Sequence, residues 1–335
     1  MTSTTEAASV YILDVGHGNS SIVRSSGECA VVDSPLGSSL KDSLDELQIT
    51  RLKALIVSHS DRDHIAGILA VLTDPNICVE RIYINPDSPK RTKIWGDLLA
   101  ALRVAEREDK TEIVNSLSVS TPGNISVGDV NLKVVGPVAS LAVAGVGGRD
   151  EKNRRITSNS LSSVIRVEGP NGATVLLAGD VDATGLEPIL HNPSALSADV
   201  LVYPHHGGFA GPATAEDAFV STLLNASKPK RVVFSNGFGV HDNPRPHVVA
   251  SVVNFGCAVA CTQLSNRCFN KPQGLPDDHL LTSLSKGSSR GVSCAGTMLF
   301  EVGSAVTATQ GNSEGHDAFV SDLVPTPMCR IATNG

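Results

Sequence analysis

Aromatic side chains are scarce in this chain of 335 residues: one Trp, three Tyr and eight Phe, 4% of the total. No stacking platform of the kind that grips single-stranded nucleic acid is evident. Positive charge is also short. Lys and Arg number 27 against 34 Asp and Glu, a net charge of −7, which argues against a broad basic surface. Basic residues gather only locally, at Lys90-Arg91-Lys93, Lys152-Arg154-Arg155 and Lys228-Lys230-Arg231, and bound dications would offset acidic ligands. No apolar run approaches the ~20 residues that span a bilayer. The start Met1-Thr2-Ser3-Thr4-Thr5-Glu6 lacks the basic start and apolar core of a signal segment. A cytoplasmic protein without a membrane partner is expected. Histidine is missing from residues 65 to 190, which bears directly on metal binding.

The histidines that are present cluster. Ser58-His59-Ser60-Asp61-Arg62-Asp63-His64 follows the apolar run Leu52-Lys53-Ala54-Leu55-Ile56-Val57, and Ile65-Ala66-Gly67 and Ile68–Leu72 continue beyond it. The order reads as a buried strand, a short turn and an apolar helix. Two carboxylates so close repel unless a cation lies between them; the plainer alternative is a polar turn with Asp63 capping the helix. Other strand-like runs also end in polar groups: Asp14, Asp33, Asp180 after Ala178-Gly179, and His205-His206 after Tyr203-Pro204. Loops on a rigid sheet gather chemistry at one edge. Two divalent ions about 3.5–4 Å apart could share a water and stabilise the oxygens of an in-line displacement. Mixed nitrogen and oxygen ligation leaves zinc or manganese open.

The succession Ile12-Leu13-Asp14-Val15-Gly16-His17-Gly18-Asn19-Ser20, the His59–His64 motif, Leu177-Ala178-Gly179-Asp180 and Pro204-His205-His206-Gly207 resembles metallo-hydrolases of the metallo-β-lactamase fold. Within them it is similar to the hydrolase domain of ComEC-type DNA-internalisation proteins and their soluble stand-alone relatives, over about residues 8 to 255. The resemblance implies an α/β fold, an αβ/βα four-layer sandwich. It implies His59 and Asp61 on one metal, Asp63, His64 and His205 on a second, and Asp180 bridging. Asp14 would support the cluster from behind the ligands. The family's further histidine has no counterpart, and Ser158-Asn159-Ser160-Leu161-Ser162-Ser163 stands in its region. Asp63 and Asp180 would be central to catalysis. His206, His241 or His247 could give a proton to a leaving oxygen. In the last motif, around Val232–His247, the family's histidine falls at Asn243, and His241 is the expected stand-in.

The implied organisation is a hydrolase domain over 1–255, a Cys-containing extension over 256–310 that completes the fold, and a loose tail over 311–335. The Gly-rich, charged stretch 137–158 reads as a mobile loop. Cys261, Cys268, His279 and Cys294 offer ligands for a separate structural zinc, although the spacing matches no common module; buried or free thiols are the alternative. Three functions compete: a metal-dependent phosphodiesterase or nuclease acting on nucleic acid or another phosphodiester, an acyl hydrolase of a thioester or lactone, and a metal-binding regulatory protein without turnover. A soluble nuclease would also need a regulating protein partner, which the sequence does not name.

Overall fold

Short runs of β-branched residues form most of the strands, and their alternation sets which side chains face which layer. The computed structural model describes residues 7–87, 90–109, 111–211, 216–303, 307–308 and 313–330. The strands in chain order are β1 (Ser9–Ile12), β2 (Ser21–Ser25), β3 (Glu28–Val32), β4 (Arg51–Leu52), β5 (Ala54–Val57), β6 (Cys78–Val79), β7 (Arg81–Ile84), β8 (Glu112–Val114), β9 (Ile125–Val127) and β10 (Val130–Gly136). They continue as β11 (Val164–Glu168), β12 (Thr174–Leu177), β13 (Val200–Val202), β14 (Arg231–Phe234), β15 (Ala258–Cys261), β16 (Met298–Glu301) and β17 (Thr307–Ala308). One sheet runs β17-β16-β1-β2-β3-β5-β7-β8 and the other β15-β14-β13-β12-β11-β10-β9; β4 and β6 pair separately.

The two sheets pack face to face with helices outside them. Val10, Val23, Ile56, Val175, Val202 and Val233, drawn from both sheets, share the central core. The alternate residues point outward. Val31, Leu55 and Ile82 meet Leu44, Ile68, Trp95 and Leu98 on one flank, and Leu176, Leu201 and Val232 meet Leu186, Val220, Leu223 and Val252 on the other. This is the four-layer α/β sandwich that the sequence implied. The outer helices include Ser39–Glu46, Lys93–Val104, Glu216–Ser227 and Pro246–Asn254.

The chain beyond residue 255 is part of the same body. β15 pairs parallel with β14 through Arg231–Ala258 to Phe234–Cys261. β16 pairs antiparallel with β1 from Ser9–Glu301 to Ile12–Met298. The loose tail expected from 311 is corrected: Ser313–Leu323 forms a helix whose Phe319 and Val320, with Val324 just beyond, are buried with Leu264 and Cys294 in a satellite cluster. Three apolar groups on one side of a short polar segment were enough to dock it, so average polarity misled. Residues 311–312 and 331–335 lie outside the described part. The expected mobile stretch 137–158 contains the helix Ala139–Ala144 and a turn in which the Arg154 N–H and guanidinium both bond Asp150. No helix among the described residues is long and apolar enough to cross a membrane.

Candidate metal centre

Parallel pairing aligns the strand ends that carry the chemistry. β3 lies parallel to β5, and β12, β13 and β14 are mutually parallel. Their carboxyl ends therefore release Asp33, Ser58–His64, Asp180, His205-His206 and Ser235 within each sheet on a common side. β5 is buried along its whole length, as a parallel strand covered on both faces should be.

Asp33 organises the first turn. Its Oδ1 accepts from the Ser58 amide at 2.7 Å, and its Oδ2 from the Ser58 hydroxyl at 2.5 Å. The same Oδ2 lies 2.7 Å from His64 Nδ1, which turns His64 Nε2 toward Asp180 Oδ1, 3.5 Å away. Asp33, and not Asp14, is the carboxylate that contacts the ligand turn from behind. Asp14 is fully buried elsewhere, accepting from Gln263, Ser293 and the Gly287 amide. It ties β1 to the late extension, and burial pushes its carboxyl pKa up despite those bonds.

Asp180 sits at a tight turn. Gly179 has φ +53, and a Cβ there would come within 2.5 Å of Ser162 Oγ, the group that accepts the Asp180 N–H at 2.9 Å. His205 and His206 both adopt left-handed backbone, φ 52 and 56, a strained pair for non-glycine residues, costing about 1–3 kcal/mol each. Several bonds hold them there. The His205 N–H donates to Asp180 Oδ1 at 3.2 Å, Asn243 Nδ2 to the His205 carbonyl at 3.2 Å, and His206 Nδ1 to the Ser235 carbonyl at 2.7 Å. Gly207 follows at φ +81, where a Cβ would meet Pro244 at 2.4 Å.

The bond to Ser235 directs His206 Nε2 into the cluster, 3.4 Å from Asp63 Oδ2 and 4.0 Å from Asp180 Oδ1. Asp63, His64, Asp180 and His206 each present a ligand atom within 4.8 Å of all the others. His206, expected as a proton donor, is a member of this group of four, whereas His205, expected as a ligand, lies beside it with its Nε2 buried and without a hydrogen-bond partner. Its Nδ1 lies 3.6 Å from Asp180 Oδ2. Consecutive left-handed residues send adjacent side chains in directions that the sequence does not reveal.

The donor set suits a cation. The Nε2 atoms of His59, His64, His205 and His206 are buried without a hydrogen-bond partner, an arrangement that is rare unless something else satisfies them. A buried carboxylate, Asp180, and a half-buried one, Asp63, stand among them. Burial alone would raise Asp180, but His64, His206 and His205 hold its carboxyl well below the usual range. Burial opposes the Asp63 charge too, and hydrogen bonds with His17 and His206 lower it strongly. Burial likewise disfavours charge on His64, yet Asp33 and Asp180 draw its pKa well above the ordinary value. Burial, then His64, lowers that of His59. The imidazoles and carboxylates of this cluster thus compensate one another's charge.

His17, part of the first motif, also joins the site. Its Nε2 lies 3.3 Å from Asp63 Oδ2, and its ring stands 4.4 Å from that of His206 and 4.8 Å from that of the exposed His241. A histidine between two glycines in the loop after β1 is the signal the sequence offers. His247 instead pairs with Glu216 at 2.9 Å.

The expected zinc set Cys261, Cys268, His279 and Cys294 is also corrected. The three cysteines line a small apolar cavity together with Cys329 and His316, and Cys294 Sγ lies 3.5 Å from His316 Nε2. His279 points elsewhere, bonding the Cys294 carbonyl at 2.8 Å and stacking on Phe319 at 4.3 Å. The late helix brings its own histidine to the thiols, and apolar packing fills the space. No three of these groups close to within 4.8 Å, and burial pushes the Cys261 and Cys294 thiols well up.

Comparison with known proteins places the chain in a family. The chain is 25% identical over 264 residues to the competence protein ComA of Neisseria gonorrhoeae, covering 77% of this chain and 31% of that one. It therefore spans about a third of that relative. Among solved structures it is similar to the metallo-beta-lactamase fold protein YhfI from Bacillus subtilis (15% identity, TM-score 0.46, covering 76% of this chain and 96% of that one). It is also similar to human tRNase Z, short form (15% identity, TM-score 0.39, 68% and 92%). Residues 13–235 match the Metallo-beta-lactamase superfamily, and the chain belongs to that family.

Proposed function

We propose that this member of a metallo-hydrolase superfamily is a phosphodiesterase, with nucleic acid or another phosphodiester as substrate and Asp63, His64, Asp180 and His206 as the residues that hold a divalent ion, zinc or manganese. The observation that carries the reading is the set of buried, unpartnered imidazole nitrogens around Asp180 and Asp63. Such an ion supplies Lewis acidity and a water of lowered pKa. The protein's own groups do the rest. Asp33 and the Ser235 carbonyl fix the two ring orientations, so little reorganisation is needed when charge develops. His17 lies against Asp63 and the exposed His241 lies against the His17 ring, which makes them the candidates to move a proton to a leaving oxygen. Lys90 lies close by, bonded to Asp61. An imidazole-rich rim offers hydrogen-bonding groups that suit the oxygens of a phosphodiester. A regulating protein partner belongs to the same reading.

The test is a substrate panel with purified protein and zinc or manganese: plasmid, single-stranded DNA, RNA, cyclic dinucleotides and thioesters. Cleavage of a phosphodiester that disappears in Asp63→Ala is expected. If every phosphodiester is inert while a thioester is hydrolysed with Asp63 dependence, the acyl-hydrolase reading replaces this one.

A further inference from the structure

The other half of the centre, at His59 and Asp61, is built differently. His59 Nε2 lies 3.6 Å from Asp61 Oδ2 and 3.8 Å from Asp180 Oδ2. No second group of three ligand atoms closes to within 4.8 Å among the described residues. A cation already holds the other oxygen of Asp61. The Lys90 ammonium bonds Asp61 Oδ1, donates to Ser158 Oγ at 2.7 Å and lies 3.6 Å from Asp87 Oδ2.

This lysine is held in place by a built network. Asp87 is buried and accepts from the Ser60 amide at 2.9 Å and the Ser60 hydroxyl at 2.6 Å, and it also accepts from Ser158 Oγ. Ser60 belongs to the ligand turn, and Ser158 opens the segment that stands where a further histidine is lacking. The serine thus positions an ammonium instead of supplying an imidazole. The Lys90 side chain is 21% exposed against 44% for Asp61, so the charge pair is partly shielded from water and its field is felt locally. His59 Nε2 stays buried without a hydrogen-bond partner, but a doubly charged ion on His59 and Asp61 Oδ2 would face repulsion from the ammonium bonded to the other oxygen of the same carboxylate.

We infer that Lys90 replaces the second metal: the centre takes one divalent ion, at Asp63, His64, Asp180 and His206, and the Lys90 ammonium neutralises Asp61. This rests on the metal reading above but not on the choice of substrate. The test is manganese loading of the chelator-stripped full chain, read by elemental analysis after gel filtration and by electron paramagnetic resonance. Wild type should hold one manganese per chain, with the six-line spectrum of an isolated ion. Asp61→Asn should keep that count, and Lys90→Met should raise it toward two with a spin-coupled spectrum. Two ions in wild type, falling to one in Asp61→Asn, would overturn the inference, as would a count of one in folded Lys90→Met. If Lys90→Met does not fold, wild type and Asp61→Asn decide alone. Binding of neither manganese nor zinc by wild type would defeat the metal reading itself.

Discussion

At the residue scale, the group that most controls the centre without facing its open side is Asp33. Its carboxylate serves the Ser58 amide, the Ser58 hydroxyl and His64 at once. Asp33→Ala should cut manganese or zinc affinity by about 10- to 100-fold, the usual range for a partner that orients a metal-binding histidine. Competition with a chromogenic chelator measures it, and unchanged affinity would remove Asp33 from the account. His59, Asp61, Asp63 and His64 were legible because four ligand types crowd one turn. Asp33 and Asp14 were not separable, since both are carboxylates after a strand. Only pairing distinguishes them: β3 lies beside β5, whereas β1 lies beside β16. Lys90 was legible only as one of a basic cluster, because its partners Asp61 and Ser158 come from loops distant in sequence.

At the scale of elements, the late helix Ser313–Leu323 carries two expectations. Phe319→Ala should cost on the order of 3 kcal/mol, because its ring fills the satellite cluster and stacks on His279. A denaturant midpoint close to wild type would mean that the helix docks without that ring. His316, on the same helix, is held down to about 4 by burial and then by His279. The folded protein therefore takes up this proton only near pH 4, whereas the unfolded chain does so near 6.5. Stability from the neutral ring is full above pH 6.5 and is lost as pH falls toward 4. Between pH 7.5 and 5, His316→Leu should remove about 1–2 kcal/mol of that decline; an unchanged slope in urea unfolding would assign it to other groups. The helix was hidden in the sequence by its polar composition, while the strand and helix alternation up to residue 254 was readable because apolar periodicity there is continuous.

At the scale of the molecule, a hydrolase domain ending at residue 255 is an incomplete sandwich. Without β16, β1 loses one neighbour, and Asp14 would be buried without its partners Gln263, Gly287 and Ser293. An uncompensated buried carboxylate together with an exposed sheet edge should prevent stable folding of a chain cut at 255; cooperative thermal unfolding of that fragment would show otherwise. The central claim is that the Asp63, His64, Asp180 and His206 group is a hydrolytic metal centre. Its most direct test is the hydrolysis rate of bis(p-nitrophenyl) phosphate by chelator-treated protein before and after manganese or zinc is returned, for wild type and Asp180→Ala. The account predicts activity lost on chelation, restored by the metal, and at least about a thousand-fold lower in the variant. Chelator-insensitive turnover, or a variant as active as wild type, would contradict it.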